Sequence, residues 1–93
     1  MLFEAAQYHA RKCEYDQAIA LYEASFAAEE GNGPRFTDAL DGIARIHEIR
    51  GDIPAAVEAC DRMLTLLRTE WGFTDEAEIQ EVQRRKDRLL NRL

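Results

Sequence analysis

The chain has 93 residues, enough for a single domain with a modest core, and 46% of them are hydrophobic, too many for a disordered segment. Its net charge of −6 argues against a nucleic-acid partner, because phosphate contacts need a basic face. Two cysteines make no disulfide framework, no apolar run approaches the ~18 residues of a bilayer span, and no basic-then-apolar leader opens the chain, so a cytoplasmic protein with no membrane partner is expected.

In chain order, residues 2–13 have the spacing of a first helix, with Leu2, Ala5, Ala6 and His9 on one face. A turn at Cys13-Glu14-Tyr15 leads to a second helix over 15–30, with Ala18, Ile19, Tyr22, Ser25 and Phe26 inward. Gly31-Asn32-Gly33-Pro34 stops it. A third helix opens at Pro34 or at Thr37, a candidate N-cap, and runs to Arg50 with Leu40, Ile43, Ala44 and His47 on one face. Gly51 can take the left-handed conformation that ends a helix, and Asp52 can cap the next one. Pro54 falls in the first turn of that fourth helix, where a missing N–H costs little. The fourth helix runs from Ile53 to about Glu70, with Ala56, Val57, Cys60, Met63 and Leu64 inward, and ends at Gly72. Trp71 and Phe73 are expected to fold back over its end. Thr74 or Asp75 caps a fifth helix that continues to Leu93, with a narrow apolar stripe of Ile79, Val82, Leu89, Leu90 and Leu93. Such a stripe suits a helix that covers the open end of a core and turns a polar face to water.

The first helix pair lies on the second without a gap. Leu2 falls on Leu40, Ala6 on Ala44, His9 on His47, Ala18 on Ala56, Tyr22 on Cys60 and Phe26 on Leu64. Leu40, Ile43, Ala44, His47, Ala56, Cys60 and Met63 in one copy, and Leu2, Ala5, Ala6, His9, Ala18, Tyr22 and Ser25 in the other, fill a pattern that resembles the tetratricopeptide repeat. The long fourth helix, its Trp71-Gly72 exit and Pro34 before the third helix are similar to the longer repeats of kinesin-light-chain type. The likeness covers about residues 2–66. It departs from the family pattern at His9 and His47, at Cys60, and at Cys13, which stands where the turn usually has glycine. The resemblance implies an all-α fold, a right-handed α-solenoid of antiparallel helix pairs with about five helices. It would be one domain: repeat one about 2–30, repeat two about 34–70, and a capping helix about 74–93. It also implies a protein–protein interaction module that binds a partner peptide or protein in a concave groove lined by the first helix of each pair.

By spacing, that groove is lined by Phe3, Glu4, Gln7 and Arg11 on the first helix, and by Asp38, Asp41, Arg45 and Glu48 on the third. On the fifth helix Gln80, Glu81, Arg84, Asp87 and Arg88 are the candidates, with Arg84 and Arg88 as the binding cations. Asp41–Arg45, Arg45–Glu48 and Arg84–Asp87 are at helical neighbour spacing, where an ion pair contributes only a few tenths of a kcal/mol. Family members that grip a peptide's C-terminal carboxylate use Lys and Asn. The matching positions here hold Phe3, Gln7, Gly42, Ala77 and Glu81, which excludes that ligand. His9 and Cys13 have chelating spacing, and His47 should lie near Cys60, but both histidines occupy packing slots and Ser25 a small-residue slot. The expectation is therefore no metal, no cofactor and no enzyme activity. An alternative of another class is a sensory or dimerisation segment of a larger bacterial-type regulator, with a homodimer through helix 74–93. Unbroken helical pattern from residue 2 to Leu93 also suggests a domain of a longer protein.

Overall fold

The computed structural model describes residues 1–72 and 76–93. Among them the chain is all-α, with no strand. Helix α1 spans Leu2–Arg11, α2 Tyr15–Ala28, α3 Asp38–Ile49, α4 Ile53–Thr69 and α5 Glu76–Leu90. The expected caps Thr74 and Asp75, and the aromatic Phe73, lie outside the described residues.

The two inter-helix turns are copies of one another. Cys13 and Gly51 both adopt left-handed backbone, φ +61° and +76°. The Cys13 N–H donates to the Ala10 carbonyl at 3.0 Å and that of Gly51 to Glu48 at 3.1 Å. Glu14 N–H then reaches the His9 carbonyl, and Asp52 N–H the His47 carbonyl, both at 2.9 Å. These bonds satisfy the last carbonyls of α1 and α3 and reverse the chain in the same geometry. The Asp52 carboxylate also accepts from Ala55 N–H at 3.3 Å, the cap expected for α4. Glu14 makes no such cap and instead accepts from His9 Nδ1 at 2.9 Å.

Helix ends are shorter than the spacing suggests. The chain leaves α2 at Ala28, because Glu29, Glu30 and Asn32 bond three residues back and tighten the turn before Gly31. The same tightening at Arg92 and Leu93 ends α5 at Leu90. Thr37 precedes α3 without capping it. Its hydroxyl donates to the Glu78 carboxylate on α5 at 3.0 Å, so a tertiary bond takes the place of the local one.

Each helix packs on its neighbours in the chain, and α1 also reaches α3. Side-chain bridges link α3 to α5 and α2 to α4, so α1, α3 and α5 form one layer and α2 and α4 the other. The body is a slab with Cα extents of 36 × 36 × 16 Å. Ala6, Ala18, Ala44 and Ala56 have no exposed surface and let the paired helices approach closely. Leu40, Met63, Leu89 and Cys60 are the largest fully buried side chains. Val82 and Leu89 of α5 close the core beyond α4, whereas Leu90 and Leu93 of the expected stripe stay exposed.

Candidate partner-binding face

The layer of α1, α3 and α5 carries two depressions, one on each side of α3. The first, about 220 Å³, lies between α1 and α3. Its floor comes from the other layer. Tyr22 of α2 is only 6% exposed, yet its ring passes between the helices and lines the groove. Gly42 makes this possible, because a Cβ there would stand 2.5 Å from Tyr22 Cζ. Phe3 braces the ring edge-on, with centroids 5.6 Å apart. The Tyr22 hydroxyl makes no hydrogen bond among the described residues and is not sealed from solvent. Burial pushes its pKa up, while Arg45 and Arg11 pull the other way.

The walls of this groove are cationic and apolar. Arg11 makes no hydrogen bond or ion pair among the described residues. Arg45 is exposed and holds Asp41 through one carboxylate oxygen only, Oδ2, at 2.7 and 3.2 Å. Asp38 is the acidic side chain lining the groove. Towards the C-terminal end of α3 the lining turns apolar, with Ala10, Tyr15, Ile46 and Ile49, and Ile49 is 66% exposed.

The second depression, about 250 Å³, lies between α3 and α5, and Arg85 in its lining is already paired. Arg85 donates to the free oxygen of Asp41, and its Nε and second amino group donate to Glu48 Oε2 at 3.1 and 2.7 Å. Thr37 and Glu78 close the end near the start of α3. Burial raises the Asp41 pKa, but hydrogen bonds from Arg45 and Arg85 outweigh it and hold the carboxyl below its ordinary value.

The residues singled out by spacing divide accordingly. Phe3, Gln7, Arg11, Asp38 and Arg45 line the α1–α3 groove. Asp38, Asp41, Glu81 and Arg88 line the α3–α5 one. Glu48 enters that half as a partner of Arg85. Glu4 pairs with the N-terminal amine and lines neither depression. Arg84 lies with Glu81, Asp87 and Asn91 on the outer side of α5, where Arg88 also reaches. The Asp41–Arg45 pair forms. The expected Arg45–Glu48 pair does not, because Arg85 takes Glu48, and Asp87 accepts from Gln83 at 3.1 Å rather than from Arg84. Spacing missed Arg85 and Tyr22. A glycine inside a helix costs about 1 kcal/mol against alanine, so Gly42 was the available signal that something passes through at that point.

The opposite side holds a clasp between distant loops. Arg35 donates from its backbone and side chain to both Glu70 carboxylate oxygens, at 2.6 to 3.2 Å, and lies 4.0 Å from the Phe26 ring centroid. Trp71 folds inward as expected, but onto the loop before α3. Its indole N–H donates to the Arg35 carbonyl and its ring stands 5.8 Å from Phe36. Arg62 and Glu23 form a two-pronged pair at 2.8 Å between α4 and α2. No three His, Cys, Asp or Glu side chains among the described residues are placed to hold a metal ion. Cys60 is buried, which pushes its thiol up, and Cys13 is exposed.

No protein-family model, curated protein or solved structure matches the chain.

Proposed function

We propose that the chain is a tetratricopeptide-like interaction module of two repeats and a capping helix, which binds a partner peptide or protein along the α1–α3–α5 face. The observation that supports this most directly is the recurrence of one turn. Cys13-Glu14 and Gly51-Asp52 share backbone and hydrogen bonds at matching places in the two helix pairs. Stacked pairs of that kind leave one layer free to meet a ligand, and here that layer carries the two depressions beside α3, while another, of about 330 Å³, lies over α4 on the other layer. In this reading the module works in the cytoplasm as a scaffold element, by shape and charge complementarity and with no covalent step. No helix among the described residues is long and apolar enough to cross a membrane.

The test is selection from a displayed random-peptide library against the full chain. Peptides retained by Glu58→Lys, on the other layer, but lost by Arg45→Glu support the reading. Peptides that ignore Arg45→Glu, or no enrichment at all, sink it.

A second reading, a dimerising segment of a larger regulator, draws on Leu90 and Leu93, which are 43% and 71% exposed, and on Arg88 of α5, which makes no ion pair among the described residues. Sedimentation equilibrium decides it. A wild-type dimer that dissociates in Arg84→Glu/Arg88→Glu places self-association on α5, and a monomer at all concentrations removes it.

A further inference from the structure

Resting on the interaction reading, we propose that the α1–α3 groove takes an acidic segment of a partner protein, with one side-chain carboxylate held by the Tyr22 hydroxyl, Arg11 and Arg45 and a neighbouring aliphatic side chain against Tyr15 and Ile49.

Three observations converge on this occupant. First, Tyr22 is more than nine-tenths buried, and its hydroxyl still has no partner among the described residues. A core tyrosine ordinarily bonds its hydroxyl within the protein. This one is spent on the groove floor, and the helix opposite gives up a side chain at Gly42 to let it through. Second, the groove lining carries two arginines, Arg11 and Arg45, against one acid, Asp38, in a chain of net charge −6. Arg11 is unpaired, and Arg45 shares Asp41 with Arg85, so neither guanidinium is saturated. A carboxylate accepts from an O–H and from two guanidinium forks at once, and charge-assisted bonds of that kind are about twice as strong as neutral ones. Third, the apolar end of the groove leaves Ile49 66% exposed on a helix whose other large aliphatic residues, Leu40, Ile43 and Ile46, are at most 3% exposed. An aliphatic side chain would cover it. In the α3–α5 half Asp41 and Glu48 already neutralise Arg85, and the other cation there, Arg88, shares the lining with the carboxylates of Asp38, Glu78 and Glu81.

The probes are three short fluorescein-labelled peptides that alternate Leu with Asp, Asn or Lys, titrated into the full chain by anisotropy. The Asp–Leu peptide is expected to bind at least about tenfold more tightly than the Asn–Leu one, the size of a charged hydrogen bond. Tyr22→Phe removes only the hydroxyl. It should weaken the Asp–Leu peptide about tenfold, leave the Asn–Leu peptide unaffected, and keep the melting temperature of the wild type. Arg11→Glu/Arg45→Glu should reverse the preference to Lys–Leu. Equal binding of the Asp and Asn peptides, preference for Lys–Leu by the wild type, or stronger competition by a uridine oligonucleotide overturns the inference. So does a Tyr22→Phe chain that melts earlier with unchanged affinity, since the hydroxyl would then be structural. Library peptides that depend on Arg45 but carry no acid would overturn this ligand and leave the groove reading standing.

Discussion

The two halves of the α1–α3–α5 face share Asp41 and α3, and they spend their charges differently. Between α3 and α5 Arg85 is enclosed by Asp41 and Glu48, with its side chain 17% exposed. Between α1 and α3 the cations face outward. Arg11 makes no ion pair among the described residues, and the Arg45 side chain is 71% exposed. One half therefore holds the molecule together and the other is left to meet something else. The difference comes from α5. It brings Arg85 within reach of both Asp41 and Glu48 on one side, while on the other side α1 brings Phe3, Gln7 and an Arg11 that bonds neither acid.

The largest effect is expected from opening the closed half. Arg85→Leu leaves Glu48 without its cation and Asp41 with Arg45 alone, and should cost about 2 kcal/mol in urea unfolding, below a fully buried pair but above a surface one. A loss under about 0.5 kcal/mol would make Arg85 an ordinary surface pair. The same half carries a pH signature. Asp41 is held below its ordinary value, so its support is complete above the unfolded value of about 3.9 and is lost as pH falls through the folded one. Stability should decline below about pH 4, together with contributions from Glu23 and Glu70, whose partners Arg62 and Arg35 also lower them. Asp41→Asn should lower stability at neutral pH and flatten part of that acid limb. An unaltered limb would assign it to the other carboxylates.

Filling the open half is the next smaller change. Gly42→Ala gains helix propensity but drives a Cβ into the Tyr22 ring, and the net cost should be about 1 kcal/mol. The variant should also lose groove binding while its helical circular dichroism stays intact. Full binding would mean that Tyr22 does not form the floor.

The smallest effect concerns the turn that sets α1 against α2. Cys13 is the described non-glycine residue with positive φ, where its counterpart is Gly51. Cys13→Gly relieves left-handed strain and gives up some unfolded-state restriction, for a net gain of about 0.5 kcal/mol. A loss on chemical denaturation would show that the Cys13 side chain contributes more than its backbone strain removes.

Much of the architecture was legible because it is local. The phase that lays Leu2 on Leu40 and Ala18 on Ala56 carried through to matching turns and to four fully buried alanines. Asp52 could be read as a cap because its bond spans three residues. Burial was harder to read from the same phase. Leu40 and Ile46 are 0% and 2% exposed, while their counterparts Leu2 and Tyr8 are 39% and 50%. The pattern is the same, but α3 packs on both α2 and α4, whereas α1 packs on α2 and only touches α3. The site was half legible. Arg11, Arg45 and Phe3 fell on the right face by spacing, whereas Tyr22 was read as an ordinary core residue and Arg85 as an interruption of the last helix.

From its periodicity, turn residues and small-residue positions, the sequence by itself determined the five helices and their order of packing. These follow from spacing within one or two turns of helix. Only the tertiary structure decided which charges are paired and which are open. Arg85 meets Asp41 and Glu48, Arg35 meets Glu70, and Tyr22 rises past Gly42, all across separations that no helical period encodes. Those meetings depend on how far each helix slides and rotates on its neighbour. A few ångströms there separate a neutralised wall from an open one, because charge-assisted bonds need donor and acceptor within about 3 Å.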